Sequence, residues 1–476
     1  MLRAVIRALS PLIFLIVALV VNVQLYGDRS LEGSNQLILL ASAGIAALLT
    51  PKNRKKLLWK GIETTISDSS KAILILLMVG ALAGAWMVSG IIPTLIVFGL
   101  KILSPKTFLV SAAVLCSLVS LATGSSWSTS ATIGIALMGI GQSLGVPAGW
   151  IAGAVVSGAY FGDKMSPVSD TTNIAATMAG AELTDHIRHM IWTSGPAILI
   201  AFLVFGIKGL SANEVGDLSQ VAQITELLNA KFTISPWLML VPLASIALIV
   251  LKVDALAAMG LGTLAGVLAA NLVQPQIIAE IAGHNGPSAW YEGSMQALYG
   301  SSQIAIDHPV LSELLKGKGM SGMLGTVWLI LCALTFGGIM DAAGFLSTLT
   351  QALLRFARGT AGLIGATLAS CGILNLTASD QYLAIVVPGR MFKKAYEDQG
   401  LKPENLSRAL EDSGTVTSAL VPWNTCGAYQ SSVLGVATGD YFMYAIFNWT
   451  SPLISMLLAL TGWKITKISS DASIKP

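Results

Sequence analysis

The sequence predicts an all-α polytopic membrane protein of about 10–12 transmembrane helices, built as two inverted-topology repeats containing broken helices or re-entrant segments. Three observations predict it. Of 476 residues, 54% are hydrophobic and only 11% charged, with a mean hydropathy of +0.72, whereas a soluble domain carries about 25% charge. The apolar residues gather into blocks near 10–26, 36–50, 71–100, 108–122, 130–161, 191–210, 235–273, 323–354, 361–390 and 414–463. Two regions of these blocks are interrupted by stretches rich in Ser, Thr, Gly and Asp, which a simple lipid-facing helix does not contain.

So few charges leave a soluble globule of this size with large exposed apolar patches, and the high hydrophobicity excludes a disordered chain. The balance of 28 Lys plus Arg against 25 Asp plus Glu is too even for a nucleic-acid partner. Cys116, Cys332, Cys371 and Cys426 lie far apart without a CxxC pair. They read as packing residues, not as zinc ligands or disulfide partners.

Residues 1–70 read as an N-terminal helical hairpin with a basic cytoplasmic loop. The opening MLRAVIRALSPLIFLIVALVVNVQLYGD has the outline of a signal peptide. No small-residue cleavage site follows it and another apolar span comes close behind, so it reads as a retained helix. Arg3 and Arg7 precede the first span and five basic residues crowd PKNRKKLLWK (51–60), while 27–35 holds only Arg29. The positive-inside bias therefore places the N-terminus and the 51–60 loop in the cytoplasm. Residues 71–210 read as the first of two structural repeats. Residues 211–322 form a linker with two additional spans and two polar inserts, 211–233 and 274–321, of which the second, with Trp290 and Tyr291, reads as extramembranous. Residues 323–463 form the second repeat, and the basic tail 464–476 returns to the cytoplasm.

The repeat rests on a gapless offset of 254 that lays residues 84–173 on 338–427. Thr123-Gly124-Ser125-Ser126 falls on Thr377-Ala378-Ser379-Asp380, Asp170-Thr171-Thr172 on Asn424-Thr425-Cys426, and Gly84 and Gly90 on Gly338 and Gly344. Residues 137–159 carry no charge, whereas 391–413 contain Lys393, Lys394, Lys402 and Arg408. Opposite charge character at equivalent loops fits halves of opposite orientation, while the basic character of both 98–107 and 352–361 runs against it.

The chemistry concentrates in four stretches. Between 107 and 162 there is no charged residue, yet TGSSWSTSATIG (123–134) is dense in hydroxyls, and GAYFGDKMSPVSDTTN (158–173) follows. In the second half, NLTASDQY contains Asp380 as the sole charge between Arg358 and Arg390, and PWNTCGAYQSS (422–432) offers Asn424 and Thr425. Irregular backbone at membrane depth survives only when buried in protein or facing a wet cavity, and its oxygens are suitable ligands for a hard cation such as Na+. An isolated carboxylate there is a functional candidate. Burial favours its protonated form and a bound cation its ionised form, so one carboxylate can hold either a proton or Na+.

Asp170 and Asp380 stand out by this reasoning. Asp163 beside Lys164 reads equally as an interfacial ion pair, and Asp341 in FGGIMDAAG equally as a helix end in the headgroups. Single hydroxyls also serve as glue between membrane helices. His186 and His189 in TDHIRHM read as a solvated loop rather than a metal site, and Glu411 and Asp412 as plain surface charge.

The segments GSSWSTSATIGIALMGIG and GAVVSGAYFGDKMSPVSDTTN, with TASDQYLAIVVPGRMF and SALVPWNTCGAY later, resemble the NhaC family of sodium/proton antiporters over about residues 70–463. The resemblance implies a secondary transporter of the bacterial inner membrane that exchanges cytoplasmic Na+ for external protons. Carried over residue by residue, it implicates Asp163, Ser166, Asp170, Thr171, Thr172 and Asn173, and then Ser379, Asp380, Trp423, Asn424 and Thr425. The hydroxyls Ser126, Ser128, Thr129 and Ser169 complete the candidate cation- and proton-binding set, with Na+ itself at Asp170, Thr171, Asn173 and Asp380. Trp127, Trp423 and Asp341 are additional candidates. The family pattern often has Gly and Thr where this chain has Ser126, Ser128 and Ser130.

The expected function is Na+/H+ exchange by a non-enzyme with no catalytic residues and no cofactor. Its expected partners are lipid, Na+ and H+, with a small carboxylate substrate and a second copy in a homodimer as further ones. No GxxxxGK[ST] occurs, so the driving force is an ion gradient. The first alternative is a Na+/H+-coupled carrier of small organic anions of the malate/lactate type, or of amino acids; the absence of Arg from the breaks counts against it. A membrane enzyme is disfavoured by the lack of HExxH and GxSxG. A passive channel fits paired broken segments less well than alternating access.

Overall fold

The computed structural model describes residues 2–26, 33–211, 218–308, 311–312 and 315–468. Arg29, part of the 211–233 insert and the basic tail beyond 468 lie outside the described residues. Among the described residues six helices are long and apolar enough to cross a bilayer: Arg3–Tyr26, Ser70–Val88, Leu183–Leu210, Ala255–Val273, Ser321–Ala342 and Gly359–Thr377. The pair Ala222–Lys231 and Pro236–Val250, bent by 93°, makes up to seven, and Ser34–Leu49, Ile91–Ile102, Phe108–Thr123 and Ile446–Thr461 are shorter apolar helices. Against the ten to twelve crossings expected from composition, six or seven helices among the described residues have the length and apolarity of a full span. Much of the apolar sequence lies in helices that stop at an interruption before they reach full length.

Outward-facing leucines replace the polar surface of a soluble protein. On Ala255–Val273, Leu261, Leu264, Leu268 and Leu272 are exposed at helical spacing. The opposite face, Ala258, Gly262, Gly266 and Ala270, is buried against Ser70–Val88, where Trp86 Nε1 donates to the Gly262 carbonyl at 3.2 Å. Small residues permit such close approach, because lipid supplies no hydrophobic force between helices. The 274–321 insert holds helices Pro275–Ala282 and Ala289–Tyr299 and a two-stranded pairing of Ser302–Gln303 with Lys316–Gly317. It packs onto Ser70–Val88, where a Cβ on Gly80 or Gly84 would strike the Gly319 or Ala297 carbonyl.

Two helical hairpins position the site. Phe108–Thr123 stops at Gly124, whose φ of 67° is left-handed. The chain then returns through Ser126–Thr129, a π-helical turn Ser130–Gly134 and Ile135–Ser143. The arms meet at their base, where a Cβ on Gly141 would strike the Phe108 ring. In the second hairpin Gly359–Thr377 turns at 378–380 and returns as Gln381–Asp398, with Thr367 Oγ1 and Tyr396 OH joined at 3.0 Å across the arms. Each hairpin is followed by a broken helix. The first is Ala148–Met165, a break at 166–169, then Asp170–Ala179. The second is Pro403–Leu410 continuing through Glu411–Thr415 and Ser418–Leu420, a break at 421–424, then Thr425–Leu434.

Element boundaries recur at the offset seen in the sequence. Ser70–Val88 corresponds to Leu324–Ala342, and Ile91–Ile102 to Phe345–Phe356. The ends of Phe108–Thr123 and Gly359–Thr377 correspond, and the helices after the two breaks start within one residue of each other.

Candidate functional site

Both hairpin tips meet a break. A Cβ on Gly124 would strike the backbone of Val168 and Ser169, so the first tip closes on the 166–169 break only because Gly stands there and supplies the left-handed φ. Ser125 caps the returning arm, its hydroxyl accepting from Ser128 N at 3.1 Å. Asp163, 6% exposed, receives three hydrogen bonds at this junction. Ser126 N and Ser126 Oγ donate to Oδ2 at 3.0 and 2.7 Å, and Ser169 Oγ donates to Oδ1 at 2.6 Å. Ser166 Oγ donates to the Leu121 carbonyl at 2.8 Å, which ties the break to the outgoing arm. Thr172 Oγ1 donates to the Lys164 carbonyl at 3.1 Å, and Asn173 Nδ2 to the Ser169 carbonyl at 2.7 Å. Thr129 Oγ1 bonds its own helix at Ser125 O. Asp170, in the first turn of its helix, is exposed.

At the second tip the cap is internal. Asp380 is the N-cap of Gln381–Asp398, and its Oδ1 accepts from Tyr382 N at 2.8 Å and Leu383 N at 3.1 Å. Thr425 N donates to the Ser379 carbonyl at 2.9 Å, and Trp423 Nε1 to the Leu376 carbonyl at 2.9 Å. Asn424 caps Thr425–Leu434 by accepting from Cys426 N at 3.0 Å, while its Nδ2 reaches Asn375. The halves touch through Trp127, stacked on Tyr429 at 3.9 Å between centroids, and Tyr429 OH donates to the Trp127 carbonyl at 3.0 Å.

A cavity of about 630 Å³ opens at this junction. It gathers Asp163, Asp170 and Asp380 with Trp127, Ser128, Ser169, Thr171, Asn173 and Thr425 from the sequence-derived set. Ser126 reaches it through Asp163, whereas Thr129, Ser166, Thr172, Ser379, Asn424 and Trp423 support the surrounding backbone outside the cavity lining. Asp341 is exposed at the end of Leu324–Ala342, by the turn where Arg54 Nη1 donates to the Ala342 carbonyl at 3.4 Å, and does not line the cavity. The mouth adds residues that the sequence did not single out: Asp68, Lys71, Lys252 and Asp254. Lys71 pairs with Asp254 at 2.7 Å. That contact, first among the causes, holds the Asp254 carboxyl below its usual range. No local pattern marks these four as different from ordinary loop charges.

Several charges lie elsewhere than expected. Asp163 turns to the first tip, but Lys164 turns away and is fully buried in an ion pair with Asp412, so the two neighbours do not pair with each other. Glu411 and Asp412, expected at the surface, are fully buried, as is His186, while His189 is 7% exposed. The polar face of Pro403–Thr415 looks amphipathic in sequence, yet it packs against the polar side of Leu183–Leu210 rather than against water. The four cysteines are free and buried, as expected.

The sequence profile of the Na+/H+ antiporter family matches residues 158–463. The chain is 36% identical over 406 residues to the Na(+)/H(+) antiporter NhaC of Bacillus subtilis (strain 168), covering 84% of this chain and 87% of that protein. It is 36% identical over 419 residues to the protein of the same name from Alkalihalophilus pseudofirmus, covering 87% and 88%. The malate-2H(+)/Na(+)-lactate antiporter of Bacillus subtilis is 33% identical over 431 residues, covering 90% and 89%.

Proposed function

The chain belongs to the Na+/H+ antiporter family, and from that premise we propose that it exchanges Na+ for H+ across the bacterial inner membrane at the junction of its two hairpins. The observation that carries this reading is that Asp163, Asp170 and Asp380, drawn from both halves, line one cavity. Asp163 already accepts three hydrogen bonds. Asp380 commits one oxygen to the helix start, and Asp170 faces open space. Asp170 and Asp380 are therefore the groups with oxygens left for Na+, together with Thr171 and Asn173. Each holds either Na+ or a proton, and that competition couples the two fluxes.

The halves act as inverted repeats in this reading, and corresponding helices support it. Trp192, in the first half of Leu183–Leu210, meets Trp463 just beyond the end of Ile446–Thr461, 5.6 Å between centroids, while Trp150 contacts both Phe205 late in the first helix and Tyr444 just before the second, the arrangement of an antiparallel pair. The cavity residues Asp68 and Lys71 lie one short helix, Leu58–Asp68, beyond the start of the basic 51–60 loop. The open side is then cytoplasmic, with both termini on the same side, and alternating access moves the hairpins past the breaks.

Proteoliposomes with an internal pH dye and an acid-inside gradient test the proposal. Na+ alone alkalinises the lumen, and Asp170→Asn abolishes the response; silence with Na+ alone sinks the proposal. One observation favours a second reading, co-transport of a small organic anion. The cavity falls in the range of about 300–1,000 Å³ typical of small-molecule sites, larger than a bare cation needs, and the malate/lactate relative transports such anions by name. A response that appears only when malate or lactate is added selects that reading.

A further inference from the structure

Beside the cavity, and outside its lining, runs a seam of buried charge. Lys164 Nζ pairs with Asp412 Oδ1 and donates to Ser451 Oγ at 3.0 Å, and Ser451 Oγ donates in turn to Asp412 Oδ1 at 2.9 Å. Arg408 Nε lies 3.9 Å from Asp412 Oδ2, and its Nη1 donates to the Lys464 carbonyl at 3.1 Å. Around this frame sit polar atoms buried without a hydrogen-bond partner: both Glu411 oxygens, both His186 ring nitrogens and His189 Nε2. Arg408 Nε and Nη2 and Asp412 Oδ2 share that condition. A buried polar atom left unpaired costs about 1–3 kcal/mol. Groups of this kind, polar and buried side by side, are those that internal water bridges in proteins.

We propose that Glu411, His186 and His189, joined through Asp412 and internal water, form a proton route from the Lys464 end of the seam to Asp163 at the cavity wall, by which protons reach the competing carboxylates without using the path taken by Na+. The proposal deepens the Na+/H+ reading and rests on it. The route is selective by the way its cargo moves. Lys164 and Arg408 are fixed positive groups inside it that oppose any bare cation, and their N–H donors offer Na+ no oxygen shell. A proton passes instead by exchange between carboxylate, water and imidazole. Glu411 and Asp412 stand on the π-helical turn Glu411–Thr415, a wider turn often found at functional positions.

Glu411 is faced by Lys164, Asp163, Asp412 and Thr415 and by Cys371. His186 is faced by Lys164, Asp412 and His189, and His189 by Arg408, Asp412, Asn405 and Lys464. The route touches the cavity at one place, the Asp163–Lys164 step in the chain. Its outer end is His189, 7% exposed, beside Lys464, whose Nζ sits 3.8 Å from the Trp192 ring centroid.

Two fluxes of the reconstituted full chain separate the route from the cavity: Na+-driven proton movement, and exchange of radioactive Na+ for Na+ at equal pH, which requires no net proton transfer. In Glu411→Gln and His186→Gln, proton movement falls about a hundredfold, the scale of a lost proton-transfer group, with Na+/Na+ exchange kept within about twofold. Glu411→Asp restores part of the proton flux and shifts its pH profile, which a packing role would not do. Proton movement unchanged in both variants overturns the proposal. Loss of both fluxes in both variants overturns it too, because the residues then serve packing or Na+ binding. A wild-type protein that exchanges Na+ without moving protons defeats the antiport reading instead, so the two failures are distinguishable.

Discussion

The two hairpin tips solve one problem in different ways. Each must begin a helix at the cavity wall, where its first N–H groups have no partner within the helix. At the second tip the acceptor is in the turn itself, because Asp380 caps its own helix. At the first tip Ser125 caps locally by accepting from Ser128 N, but the position equivalent to Asp380 is Ser126, and the carboxylate there arrives from another helix as Asp163. The backbone differs in the same sense. Gly124 supplies the left-handed residue of the first tip, whereas at the second a non-glycine, Ser379, takes φ 58°. An internal cap makes the second tip largely self-sufficient. A borrowed cap makes the first tip depend on the broken helix beside it, so displacement of one moves the other.

Substitutions can break or sharpen this contrast, with unfolding in detergent followed by labelling of the four buried cysteines. Asp163→Ala has the largest effect: three donors lose their acceptor, and stability falls by about 3 kcal/mol or more. Unchanged unfolding would mean that the first tip needs no borrowed cap. Gly124→Ala comes next, destabilising by about 2 kcal/mol, from the left-handed φ and from the Cβ pressed on Val168 and Ser169. Ser125→Ala removes the local cap of the first tip, for a loss of about 1 kcal/mol. Ser379→Gly has the opposite sign, gaining up to about 1 kcal/mol because glycine meets no penalty at positive φ; a loss there would show that the Ser379 side chain does structural work. Asp380→Asn changes stability least, within about 0.5 kcal/mol, since Asn caps as well as Asp, yet it abolishes Na+-driven proton movement. A transporting Asp380→Asn protein would reduce Asp380 to a cap.

Much of this is legible in the sequence itself. The hydroxyl-rich stretches at 123–132 and 158–173 and the isolated Asp380 announced the tips and breaks, because helix interruption is written locally in Gly, Pro, Ser and Asp. The cavity mouth was not legible: Asp68 and Asp254 are 186 residues apart (254 − 68) and are ordinary loop charges until the helices pack. The buried seam is hidden from the sequence for a related reason. A polar helix face turned to water and one turned to another polar face have the same sequence pattern.

By itself the sequence determined that this chain lives in a membrane, where its helices are interrupted, and which carboxylates stand alone in apolar surroundings, since hydropathy and backbone propensity act over a few residues. Only the tertiary structure decided what each charge faces. Asp163 and Lys164 are neighbours, about 100° apart on a helix of 3.6 residues per turn. One joins the hairpin tip and the other a buried seam, because different helices pack on the two sides.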